Sequence, residues 1–181
     1  MVRDLCFHMV DLVQNAVAAG ARTVRLTLRD SAAADEIRLS VADDGRGMDG
    51  ETAARARDPF YTSKGFKKVG LGLPLLEGTS HACNGEFDLV SAPGEGTTVS
   101  ARLEKDHWDC PPLGDLTATV LQLLVTLEGI NLVFSFEGDR GTFGISSDAV
   151  REQAGGLSLS HPDVYSFLGE YLASELEPLL E

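Results

Sequence analysis

The sequence predicts an α+β fold: a two-layer α/β sandwich of one sheet and its helices, with a small C-terminal α/β extension. Three observations predict it. Apolar residues recur at helical spacing over residues 3–19, then at period two in TVRLTLRD and EIRLSVAD, so the chain passes from a helix into paired strands. A second hairpin follows later, EFDLVS and TVSARL around the turn APGEGT. The composition then shifts at HWDCPPLGD, residues 107–115, where a tryptophan, two prolines and a glycine interrupt the pattern. That stretch divides a domain at 1–106 from an acidic extension at 107–181.

The first helix has two faces. Leu5, Met9, Leu12, Val13 and Ala16 fall on one side, and Asp4, His8, Asp11 and Asn15 share a polar stripe on the other. Gly20 ends it as a C-cap. The two strands that follow are joined by the small polar turn SAAAD, and a short helix is expected around residues 50–57. A loop rich in glycine and lysine leads to another helix starting near Gly72. In the extension, a helix at 115–128 precedes the strands NLVFSF and GTFGIS around EGDRG. A helix follows Ser147, and a last one runs from Pro162 to about 180, with Ser160 and Asp163 spaced as a capping box.

Length and charge exclude several classes. The chain has 181 residues, 43% hydrophobic and 24% charged, and no apolar run approaches the ~20 residues of a membrane helix. It lacks the features of a secretory signal, and its three scattered cysteines match no zinc or redox spacing, so a reducing cytoplasm is the expected home. The net charge of −13 is uneven: residues 1–104 hold 12 Lys+Arg and 15 Asp+Glu, and residues 105–181 hold 3 and 13. Such a surface repels phosphate backbones and anionic membranes, so neither nucleic acid nor membrane is an expected partner.

Two local patterns point to chemistry. Asp11 and Asn15, one turn apart, make either a solvated helix face or a place for hydrated Mg²⁺, which binds through few protein oxygens. VADDGRGM, residues 41–48, ends a strand in a turn whose glycines allow close backbone approach to a flat ligand, although such turns also occur in plain hairpins. Further on, Gly70-Leu71-Gly72-Leu73 opens a helix whose backbone N–H groups could receive an anion. Lys64, Lys67 and Lys68 stand just upstream.

Together these residues resemble the GHKL superfamily of ATP-binding domains, across residues 5–103. DLVQNAVAAGA is similar to its asparagine box, VADDGRGM to the first glycine box, DPFYTSK to the phenylalanine box of histidine kinases, and VGLGL to their second glycine box. HACNGEFDLVSAPGEGTTVSARL is similar to the closing hairpin of kinase catalytic domains. The resemblance implies the Bergerat fold, with ATP and Mg²⁺ as cofactors. It implies that Asp43 accepts from the adenine amino group, with Gly45, Gly47 and Met48 beside the base, Phe60 and Lys64 in the next segment, and Thr97 or Thr98 near adenine. Asn15 takes the Mg²⁺-binding place, and Gly70, Leu71, Gly72 and Leu73 the phosphate-binding turn. Asp44, one residue past Asp43, is read as a turn acid facing away.

This sequence departs from the family in ways that matter. Lys68 stands at the first glycine of the usual GxGLGL, and the segment between Lys64 and Gly70 is short for a lid. Where hydrolysing members carry a glutamate base stands Asp11, one methylene shorter. A base misplaced by ~1 Å can lose on the order of a hundredfold, so weak hydrolysis is expected. Few residues precede the first helix, so no phosphoacceptor hairpin is expected there. The implied function is a Mg-ATP-binding switch, weak ATPase or split-kinase subunit in signal transduction. A kinase acting in trans, of the anti-sigma-factor type, and a non-catalytic ATP sensor remain open. The acidic extension is read as a cover for the sheet, or as a docking or dimerising module for a partner protein or a second copy.

Overall fold

The structure, a computed structural model, describes residues 4–58 and 72–180. In chain order the elements are α1 (Leu5–Ala18), β1 (Thr23–Ser31), β2 (Glu36–Asp43), α2 (Gly50–Ala56), α3 (Gly72–Ala82), β3 (Glu86–Ala92) and β4 (Gly96–Glu104). They continue with α4 (Leu116–Thr126), β5 (Asn131–Gly138), β6 (Gly141–Ser146), α5 (Ser147–Gln153) and α6 (Pro162–Leu180). The α+β architecture is the expected one.

Local chemistry sets the ends of α1. Asp4 caps the start, its carboxylate accepting from the Phe7 N–H at 2.8 Å. The next two orphan N–H groups, of Leu5 and Cys6, donate to the carbonyls of Pro112 and Leu113. The proline stretch at 107–115 therefore lies against the N-terminus of α1. At the other end Gly20 turns the chain with φ +80.

Six strands form one sheet in the order β3-β4-β2-β1-β5-β6. Neighbours are antiparallel except β1 and β5, which run parallel from Thr23↔Asn131 to Asp30↔Gly138. A parallel partner reached from β4 needs a crossover, and α4 lies in that connection. The extension thus contributes strands to the same sheet rather than building its own.

The period-two pattern decides which face is covered. Val24, Leu26 and Leu28 of β1, Ile37, Leu39 and Val41 of β2, and Leu132, Phe134 and Phe136 of β5 are all buried on one face. Leucines of α1, α4 and α6 close the core over them. The opposite face carries Arg25, Arg29 and Arg38, all exposed.

One local expectation shifts by a residue. Ser160 does not open α6: its hydroxyl pairs with Ser158 at 2.7 Å. His161 caps instead, its Nδ1 accepting from the Asp163 N–H at 3.4 Å. Pro162 explains the shift, because its fixed φ suits the first helical position and puts the cap immediately before it.

Candidate functional site

Helix α1 forms a wall against which two other segments are set. The first is the glycine turn after β2. The Arg46 N–H donates to the Ala19 carbonyl at 3.0 Å, tying the turn to the C-terminal end of α1. A Cβ at Gly45 would stand 2.9 Å from the Ala19 Cβ, and one at Gly47, where φ is +63, would stand 1.8 Å from the Ala92 carbonyl oxygen. A side chain at Gly45 would thus meet the side chains of Asp43 and Ala19, and one at Gly47 the backbone of the β3–β4 hairpin. The two glycines let β2, α1 and the β3–β4 hairpin close on one another.

The two aspartates of the turn are used differently, as their neighbours dictate. Asp43 is half-buried, with its Oδ1 accepting from the Gly45 N–H at 2.8 Å. Burial pushes its carboxyl above the ordinary aspartate range, and the backbone N–H groups of Gly45 and Thr97 only partly oppose that. A carboxylate has about four lone-pair sites, so acceptor capacity remains for a ligand. Asp44 is exposed and turns to the start of β1, its Oδ1 accepting from the N–H groups of Thr23 (2.9 Å) and Arg22 (2.7 Å). Those bonds hold its carboxyl below the usual range.

Ser91 joins the turn to the closing hairpin, and sequence reasoning missed it. Its hydroxyl accepts from the Met48 N–H at 2.9 Å, donates to the Gly96 carbonyl at 3.0 Å and lies 2.9 Å from the Thr97 Oγ1. Thr97 itself pairs in register with Asp43 across β2 and β4. A serine in an alternating strand gives no signal of such a role; only the pairing with Thr97 reveals it.

The second segment against α1 is the start of α3. A Cβ at Gly72 would lie 1.5 Å from the Asp11 Oδ2 and 3.5 Å from the Asn15 Nδ2. Those two side chains are themselves joined, the Asn15 amide nitrogen donating to Asp11 Oδ2 at 3.4 Å. Only a glycine admits this contact, so the sequence places the first turn of α3 directly on the Asp11–Asn15 pair. Leu73, the next residue, packs partly into the core. Phe60, Lys64, Lys67, Lys68, Gly70 and Leu71 lie outside the described residues.

Two contacts hold this geometry. His8, on the same stripe of α1, is 1% exposed and lies against α3, its Nε2 3.3 Å from the Thr79 Oγ1. The Thr79 hydroxyl donates to the Leu75 carbonyl at 2.8 Å, so the imidazole proton is assigned to Nε2, and Nδ1 is a buried acceptor with no partner among the described residues. Burial outweighs the pull of Asp4 and brings the His8 pKa down to about 4. At the other flank Arg57 ends α2 and donates through Nε to both Glu77 oxygens of α3 at 3.2 and 3.0 Å. Its guanidinium also stands 5.5 Å from the centre of the Phe87 ring in β3.

Comparison with known proteins agrees with this arrangement. Residues 3–107 match the family described as histidine kinase-, DNA gyrase B-, and HSP90-like ATPase. The chain is 37% identical over 110 residues to the non-motile and phage-resistance protein of Caulobacter vibrioides, covering 56% of this chain and 13% of that protein. It is 43% identical over 92 residues to the sensor protein kinase FleS of Pseudomonas aeruginosa, covering 51% of this chain and 23% of FleS. The chain thus spans less than a quarter of either relative. The crystal structure of the N-terminal domain of a DNA repair protein superposes with a TM-score of 0.53 at 16% identity, over 80% of this chain and 52% of that one. That likeness is one of fold, and it takes in more of the chain than the family match does. With an asparagine-bearing helix, a glycine turn behind an aspartate and a glycine-started helix set together, and with the family match covering more than half its length, the chain belongs to the histidine kinase-, DNA gyrase B- and HSP90-like ATPases, as an ATP-binding domain.

Proposed function

We propose that the chain binds Mg-ATP and uses it as a nucleotide-dependent switch with weak ATPase activity, or as the catalytic subunit of a split kinase. The observation that carries this reading is the seating of Gly72 on the Asp11–Asn15 pair. It brings the N-terminus of α3, a place for phosphate, against a carboxylate and an amide. Asp43, at the far end of α1, would accept from the adenine amino group, with Thr97 beside it.

The donor set suits Mg²⁺. Asn15 and Asp11 offer hard oxygen atoms. Among the described residues no group of three or more His, Cys, Asp or Glu is arranged as a metal cage. That fits an ion held by one or two protein oxygens plus substrate phosphates and waters. Asn15 would hold it through its amide oxygen, which is turned from Asp11 because the amide nitrogen faces that carboxylate. Bound Mg²⁺ would neutralise charge on the phosphates. Asp11 would orient a water and accept its proton at Oδ2, the atom facing Asn15 and the start of α3. Its short side chain favours slow turnover.

Calorimetric titration with ATP and Mg²⁺ tests the site: Asp43→Ala and Asn15→Ala should each abolish binding, and wild-type affinity in both would refute the assignment. Radiolabelled γ-phosphate then separates the modes. Slow release of free phosphate supports the ATPase switch, and label on a co-purified protein supports a kinase acting in trans. Tight binding with neither outcome leaves a sensor.

A further inference from the structure

The sheet ends on a bare strand. β6 lies at one edge, and its six residues, GTFGIS, contain no charge and no proline. Edge strands are normally protected by such residues, because their outward N–H and C=O groups invite another strand. The opposite edge shows that protection, with Glu86 and Asp88 of β3 exposed. Among the described residues no element pairs with the outer side of β6.

An apolar cover already extends past that edge. Four aromatic rings step outward: Phe134 of β5, Phe143 of β6, then Tyr171 and Phe167 of α6, with successive centroids 6.4, 6.0 and 6.2 Å apart. Their exposure rises along the row, from 0% through 7% and 38% to 64%. The helix geometry says which way they lead. A Cβ at Gly169 would face Leu121 of α4, the helix that packs against both α6 and α1. Phe167 and Tyr171 occupy the other flank of α6, across the buried Leu168 and Leu172, and so face away from α4. A strand added beside β6 would find its inner face covered by that stacked pair.

Charge selects the occupant. Residues 128–180 hold nine Asp+Glu against two arginines. One of the two, Arg151, is committed to Asp148 and to the carbonyls of Leu127 and Ile130. A second copy of this chain would bring acid against acid. We propose that the β6 edge and the Phe167–Tyr171 flank of α6 form a docking site for an extended, basic segment of a partner protein, which adds to the sheet as a seventh strand. Its apolar side chains would lie against the two rings, and its lysines or arginines would reach Glu137 on the other face and the exposed Glu170 and Glu175 of α6 beside the rings.

The probe is a labelled peptide alternating lysine with valine, titrated with the full chain and followed by fluorescence anisotropy. A glutamate–valine peptide should bind at least roughly tenfold more weakly, and added salt should weaken the lysine peptide. Phe167→Ala and Thr142→Lys both alter exposed side chains and should each weaken it about tenfold, the first by removing a ring, the second by placing a like charge on the edge. Trp108→Ala, 99% exposed elsewhere, should change nothing. The amides of residues 141–146 should gain protection from hydrogen exchange. No binding, equal binding of acidic and basic peptides, or wild-type binding by Phe167→Ala and Thr142→Lys would each overturn the proposal. So would sedimentation showing a dimer that Thr142→Lys dissociates, which would assign the edge to a second copy. No nucleotide enters these measurements, so their outcome is independent of the ATP site.

Discussion

Mild acid should loosen the contact between the two helices that bear the site, and His8 sets the size of the effect. The imidazole is buried between α1 and α3 with its pKa brought to about 4, against an ordinary value of 6.5. Between those values the unfolded chain binds a proton that the folded chain does not, so stability is greatest above pH 6.5 and falls as the pH drops toward 4. At 1.36 kcal/mol per pKa unit the whole shift amounts to about 3 kcal/mol, of which about 2 kcal/mol is lost between pH 7 and pH 5. His8→Gln isolates the term, since glutamine can still reach the Thr79 hydroxyl but does not titrate. Urea unfolding of both proteins at the two pH values measures it. The wild type should lose about 2 kcal/mol more than the variant on acidification. Equal losses would mean that His8 is not held neutral between the helices, and the account of how α3 is seated on α1 would fail with it.

Three further outcomes follow from the same geometry. Gly72→Ala places a methyl group 1.5 Å from the Asp11 carboxylate and should lower affinity for a non-hydrolysable ATP analogue at least ~tenfold, with folding little changed, as read by calorimetry and circular dichroism. Ser91→Ala strips partners from the Met48 N–H, the Gly96 carbonyl and the Thr97 hydroxyl, and should cost about 1–3 kcal/mol in denaturant unfolding. Nucleotide affinity should fall on acidification with a midpoint above the ordinary aspartate range, because burial raises the Asp43 carboxyl. Asp43→Asn should remove that dependence in titrations at fixed Mg²⁺.

Local patterns in the chain determined the elements and the order of the motifs. Period-two alternation marks the inward residues of β1 and β2 because successive strand side chains point to opposite faces, and every apolar residue at those positions is buried. The helical wheel of α1 likewise separates Leu5, Met9, Leu12 and Val13 from the polar stripe. The turn DDG separates a half-buried Asp43 from an outward Asp44, as read from the sequence. What periodicity cannot state is which element covers a face, because it records orientation and not neighbours. His8 and Asp11 share one stripe, yet α3 buries the first and leaves the second partly open. The capping pattern at Ser160 was displaced by the proline two residues later. Ser91 acquires its role only through strand register, and Gly47 yields its space to the Ala92 backbone more than forty positions on. The parallel pairing of β5 with β1, which draws the acidic extension into the sheet and leaves β6 bare at its edge, joins residues more than a hundred positions apart. Such long-range contacts are chosen by the burial of whole faces against one another, and only the folded chain decides them.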